Sequence, residues 1–158
     1  MPSFLDEINV HPAYQKAVDN HPLVGKNLRL PVRDDELPTD FVFHRRPLRH
    51  QLRDFLRFRD LPYHFLAHDP RVRKTKIEND IFRYRYERGE VDAMIVIAYP
   101  SGVHHGWPLE VETDFPPELF ARTKIVVWRS GAMTTGRRRE EVLALRDYRG
   151  GPVVLTMN

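Results

Sequence analysis

The stretch "HRRPLRHQLRDFLRFRDLPYHFLAHDP", residues 44–70, contains the signals that decide the predicted fold. Proline suits the first turn of a helix, and Pro47 stands at the start of a helix-period pattern. The apolar residues at this spacing are Leu48, Leu52, Phe55 and Leu56. Pro62 disfavours the helical conformation for the residue before it, so we expect the helix to end near Asp60.

Two short apolar segments flank this helix. "DFVFH", residues 40–44, and "YHFLAH", residues 63–68, each have the length and the β-branched or aromatic content of a strand. A strand, a short helix and a second strand with tight joints form a βαβ unit, in which the two strands are parallel. The sequence therefore predicts an α/β fold that begins at residue 40.

The remaining elements follow the same kinds of pattern. Residues 71–88 are basic and partly helical, with Ile77, Ile81 and Tyr84 on one face. The run 91–100, "VDAMIVIAYP", is the strongest strand, and its continuous apolar character predicts a buried central position. The later predictions are an antiparallel strand at 106–113, one helical turn in 115–123, a strand at 124–128, and a helix at 138–148 with Val142 and Leu145 inward.

Length and composition suggest one domain with extensions. The 158 residues include 13 prolines, and the acidic and proline-rich residues 1–39 are predicted to form an extended arm, with a disordered leader as the alternative. The domain then spans 40–150, and 151–158 is a short tail strand or arm. No cysteine is present, which excludes disulfides, thiolate nucleophiles and zinc–thiolate sites. A net charge of +3 permits contact with nucleic acid but does not favour it.

Part of the sequence resembles a known family. Pro47, Arg53, Phe55, Leu56, Pro62, Tyr63 and Pro70, followed by the basic run "RVRKTKI", match the N-terminal domain of glutathione transferases. The match is strongest to the prostaglandin E synthase type 2 group and covers residues 41–78. This resemblance implies a thioredoxin-like arrangement, written βαβ…ββα, in which a turn before the helix carries the reactive cysteines.

The reactive positions of that family are changed in this chain. Arg46 and Arg49 stand at the two cysteine positions, and neither can form the thiolate on which that chemistry depends. Asp92 stands where the family places the cis-proline that holds glutathione. These replacements predict that the fold is retained without redox or transferase activity, and that no cofactor is bound.

A row of arginines is the sharpest candidate binding feature. Arg46 precedes the predicted helix, and Arg49, Arg53 and Arg57 recur every four residues along it. Arginine recognises carboxylates in a bidentate manner, so we expect these four residues to bind an acidic protein surface. A solvated helix face, with ion pairs to Asp54 and Asp60, explains the same row. Phosphate or nucleic-acid contact is a further alternative.

Two metal-binding hypotheses are open at this level. The first hypothesis uses histidine ligands, although the histidines are spaced or placed poorly for one metal ion: His44, His50, His64, His68, His104 and His105. Asp92, Glu110 and Glu112, with Glu78 upstream, resemble the acidic pattern of Mg²⁺-dependent nucleases of the PD-(D/E)xK class. Glutamate stands where that class has its lysine, and strand alternation explains Glu110 and Glu112 equally well.

The function expected from these observations is that of a non-catalytic, structural subunit of a larger assembly. Its partners would be other protein subunits, with peripheral membrane contact at most. An intracellular and in particular mitochondrial complex is favoured by analogy with accessory subunits of similar fold. A glutathione-dependent transferase or isomerase that uses Tyr63 or Arg46 is one alternative, and the metal-dependent nuclease is the other.

Overall fold

The computed structural model describes residues 32–66, 73–99, 106–128 and 135–157. All of them belong to the second of two units into which the chain divides, Met1–Leu30 and Pro31–Asn158. Most of the predicted arm, residues 1–31, lies outside the described residues. The part of the arm that is described contains a single 3₁₀ turn, Asp34–Glu36.

The described residues form a mixed α/β structure, as predicted. In chain order the elements are α1 Arg49–Phe58, α2 Lys74–Glu87, β1 Ala93–Ile97, α3 Trp107–Asp114, α4 Pro117–Ala121, β2 Lys124–Trp128, α5 Thr135–Arg146 and β3 Val153–Met157. The helices predicted within 44–60, 71–88 and 138–148 and the strands predicted at 91–100 and 124–128 are therefore confirmed within a few residues.

The three strands form one parallel sheet in the order β1-β3-β2. In β3 the residues Val153 to Thr156 are all buried, as expected of an apolar strand between two parallel neighbours. The residues predicted to form a tail therefore provide the central strand. The prediction of a central position for β1 is wrong, because β1 pairs with β3 on one side and forms an edge of the sheet.

Helices cover the two faces of the sheet unequally. On one face, Val154 of β3 packs against Phe82 of α2, Val111 of α3 and Leu119 of α4. On the other face, Leu145 of α5 packs on Val153 and Leu155. Since this second contact lies over β3 and β2, the same face of β1 is left exposed.

A second core joins α1, α2 and the segment before α1. Phe41 stacks on Phe55 with 4.9 Å between ring centres, and Tyr84 meets both rings edge-on. Ile77 and Ile81 complete this cluster, in which every member is at least 95% buried. Phe55 therefore packs as predicted, whereas Leu56, predicted to share its face, is 43% exposed.

The predicted βαβ unit around α1 is wrong. Residues 41–43 and 64–66 are not strands, and residues 67–68 of the second predicted strand lie outside the described residues. Arginine side chains of α2 instead hold the chain on either side of α1 by its backbone carbonyl groups. Arg83 donates to the carbonyl of Val42, and Arg85 donates to those of Arg59 and Leu61. The Val42 carbonyl, within the first predicted strand, thus has a side-chain partner in place of a strand partner.

Two further predictions are wrong for identifiable reasons. The predicted antiparallel strand at 106–113 is the helix α3, because Pro108 in its first turn favours helix and Val111 is fully buried one turn later. Apolar and polar residues alternate at Leu109, Glu110, Val111 and Glu112, but this alternation does not indicate a strand here. In α5, Leu145 is buried as predicted but Val142 is 39% exposed.

Candidate protein-interaction site

The predicted arginine row is engaged largely within the chain. The Arg46 Nε donates to the Val32 carbonyl at 2.6 Å, and its guanidinium also pairs with Asp34. Arg49 pairs with Glu36 at 3.2 Å. Glu36 thus places a carboxylate beside a cation in the first turn of α1, where the helix dipole disfavours positive charge. The 3₁₀ turn thus supplies an anionic partner for this cation.

The other two members of the row also have neighbours. Arg53 contacts the Asp54 carboxylate at 2.7 Å, and the Arg57 guanidinium lies 5.2 Å from the centre of the Phe58 ring. The row exists as predicted along α1. Its proposed role in binding an acidic partner stays a prediction, and such a partner would have to compete with Asp34, Glu36 and Asp54.

The candidate metal ligands are dispersed among other contacts. His64 Nε2 lies 3.0 Å from Glu78 Oε1, and its ring stacks on Phe58. Glu110, which lies on helix α3 and not on a strand, pairs with Arg45 at 3.1 Å. Within the described ranges no group of three or more His, Asp or Glu side chains is placed to hold a metal ion. His68, His104 and His105 lie outside those ranges.

A buried charge network on α2 was missed by the sequence analysis. Lys76 and Asp80 are 1% and 2% exposed, and Lys76 Nζ contacts Asp80 Oδ2 at 2.6 Å. Asn79 donates to Asp114 at 2.9 Å, and Arg45 pairs with the same carboxylate at 2.6 Å. These charged groups connect α2 with α3 and with the segment before α1.

Burial governs the titration of this network. It raises the pKa of Asp80 to about 6, although the Lys76 ammonium acts in the opposite direction. Burial likewise raises the pKa of Asp114 and lowers the pKa of Arg83. The only sequence signal is a polar stripe on α2 at helical spacing: Lys76, Asn79, Asp80 and Arg83. Such a stripe is typical of a solvated face, so its burial could not be inferred.

The most unusual surface lies on β1. Along this strand the side chains alternate in burial, and Ile95, Ile97 and the following Tyr99 are 65%, 77% and 86% exposed. We call these three residues the open β1 face. Parallel strands are normally covered on both faces, so exposed isoleucines here are unexpected for an isolated domain. The backbone continues the same ladder, since the amide of Ala98 donates to Met157 at 3.0 Å.

Within the described residues, no charged residue or proline of β1 itself protects its outer edge against pairing. Edge strands usually contain charged residues or proline, which prevent a further strand from adding. The five residues of β1 are Ala, Met, Ile, Val and Ile, and within the described residues they pair only with β3. The edge therefore presents unguarded backbone donors and acceptors.

A groove lies beside the first two residues of β1, Ala93 and Met94. Its volume is about 370 Å³, and it lies between the segment 61–64 and the start of β1, with α2 among its lining residues. Ile81, Phe82 and Met94 give it an apolar lining, while the His64–Glu78 pair is polar. Leu61 and Tyr63 at its rim are 44% and 85% exposed. Tyr63, considered above as a catalytic residue, thus stands at a surface rim.

Comparisons of the chain with protein-family models, with curated proteins and with solved structures give no match. The arguments for function therefore rest on the chain's own residues. In the part of the chain that is described, no helix has both the length and the hydrophobicity needed to cross a bilayer.

Proposed function

We propose that this chain is a non-catalytic, structural subunit of a larger protein assembly and that it binds a partner subunit through the open β1 face. The observation that carries the proposal is the exposure of Ile95, Ile97 and Tyr99 on an edge strand of a parallel sheet. Contiguous apolar surface on a soluble domain is typical of an interaction site.

The extent of the surface supports this proposal. Ile95, Ile97 and Tyr99, together with Leu61 and Tyr63 at the groove, are 44% to 86% exposed. Large apolar and aromatic side chains are the main source of buried area in stable interfaces. Tyrosine is enriched at such interfaces because one side chain provides apolar area and a hydrogen-bonding group.

The proposal is independent of a thioredoxin-like arrangement and of the arginine row. A thioredoxin-like relationship and a mitochondrial assembly are suggested by the resemblance of residues 41–78 alone. The arginines of α1 offer a second contact only if a partner displaces the carboxylates that hold them.

A matched pair of surface variants tests the proposal. We expect Ile97→Lys to abolish co-purification of partner subunits with the tagged full chain, because a charge would then have to be buried in an apolar contact. Leu109→Lys is the control, since Leu109 is 62% exposed on α3. Quantitative mass spectrometry of the captured proteins compares the two, and thermal melts confirm that both variants fold. Equal capture by both variants would refute the role of the open β1 face.

A further inference from the structure

We infer that the edge of β1 receives an extended, apolar segment of a partner protein, which adds antiparallel to β1 as a fourth strand and carries a basic residue near its C-terminal end. This inference rests on the proposed function and names the partner's chemistry. The occupant is a peptide segment because the strand edge offers backbone groups that side chains of a packed helix would not satisfy.

The groove leaves room beside the start of β1 for the end of an added strand. This end would lie between Ala93–Met94 and the segment 61–64, where Ile81 and Phe82 of α2 contribute apolar lining. Its side chains on one face would meet this apolar lining. Those on the other face would be cross-strand neighbours of Ile95 and Ile97, where apolar pairs stabilise a sheet. The segment is therefore expected to be mainly apolar, with a place for a polar side chain beside the His64–Glu78 pair.

Antiparallel addition is expected because it is the slightly more stable pairing, and charge complementarity then sets the flanking residue. Asp92 is exposed immediately before β1, and its backbone carbonyl is occupied by Val153 of the central strand. Its carboxylate thus marks the N-terminal end of an otherwise uncharged edge. In an antiparallel pair this end faces the C-terminal flank of the incoming segment. A lysine or arginine there would lie opposite the carboxylate.

A second copy of this chain meets these conditions less well. Antiparallel pairing of two β1 strands centred on Ile95 would place Ala98 of the other copy opposite Asp92, so the carboxylate would gain no cation. The segment 61–64 lies beside the start of β1 in each copy. Such pairing would therefore also bring this segment toward the sheet of the other copy.

Labelled peptides and the full chain provide the test. The probe is a fluorescein-labelled peptide with four β-branched residues followed by two lysines. One matched peptide carries N-methyl groups on the two alternate amides that would donate to β1, and another ends in glutamates. Fluorescence anisotropy should show saturable binding of the lysine peptide, at least about tenfold weaker binding of the N-methylated peptide, and weak binding of the glutamate peptide.

Variants assign the binding to the β1 edge. Asp92→Lys should reverse the preference between the lysine and glutamate peptides, and Leu109→Lys should leave all affinities unchanged. The inference is overturned if no peptide binds saturably, if N-methylation has no effect, or if light scattering shows a dimer that Ile97→Lys dissociates, since a second copy then occupies the edge. In the first two cases, loss of partner co-purification in Ile97→Lys but not in Leu109→Lys would leave the proposed function standing, since a partner can cover the open β1 face without adding a strand.

Discussion

Replacement of Lys76 by methionine should lower the free energy of unfolding at pH 8 by about 3–5 kcal/mol. Lys76 and Asp80 are both at least 98% buried and in contact at 2.6 Å. Methionine fills the space of the lysine side chain but leaves the Asp80 carboxylate without its nearest cation. An uncompensated buried charge costs several kcal/mol, so the loss should exceed that of an ordinary conservative substitution. Urea denaturation followed by circular dichroism measures it.

A double variant separates the loss of charge from the loss of packing. Lys76→Met combined with Asp80→Asn removes both charges and should regain at least half of the stability lost in the single variant. Arg146→Met, which removes an exposed pair with Asp147, should leave the unfolding midpoint almost unchanged. A single variant as stable as the wild type would contradict the idea that this buried pair holds α2 in place.

Acidification from pH 6.5 to pH 4.5 should stabilise the protein through Asp80. Folding raises the pKa of this carboxyl from 3.8 to about 6, so the folded state binds the proton more tightly than the unfolded state. The stabilising contribution is complete below the pKa that Asp80 has in the unfolded state, and it is lost as the pH rises through 6. The full contribution, reached below pH 3.8, amounts to about 3 kcal/mol, of which about 2 kcal/mol is gained between pH 6.5 and pH 4.5. Unfolding free energies measured across this range check the sign.

Variants assign this pH dependence to one group. Asp80→Asn removes the titrating carboxyl and should remove most of the gain in stability on acidification. Asp114 should contribute the remainder, because burial also raises its pKa. Lys76→Met removes the ammonium that lowers the pKa of Asp80, so in that variant the transition should move above pH 6. If the wild type and Asp80→Asn have the same dependence on pH between 4.5 and 6.5, the titration belongs elsewhere.

Local signals predicted most of the elements but not how they pair. Helix periodicity located α1 and α2, and apolar runs located β1 and β2, because these patterns act over a few residues. The central place of β3 depends on pairing with residues 25 or more positions away in sequence, which no local pattern encodes. The strand predicted before α1 is absent from residues 41–43, where Arg83 of another helix takes the carbonyl of Val42, and no local pattern encodes that contact.

The candidate site was harder to predict for related reasons. The apolar run of β1 predicted burial on both faces, and the exposure of Ile95 and Ile97 follows from the position of α5 over β3 and β2 alone. The polar stripe of α2 predicted solvent contact and is buried instead. The arginine row was visible in the sequence, but its ion pairs with a 3₁₀ turn more than ten residues away were not.

The native mass of the chain in its own source tests the central claim most directly. The polypeptide alone has a mass of 18.7 kDa. After gentle extraction and size-exclusion chromatography, we expect quantitative mass spectrometry to find the chain at a much larger mass, at a constant molar ratio to the same partner proteins in every fraction. Elution as a free monomer, with no protein following its profile, would contradict the account.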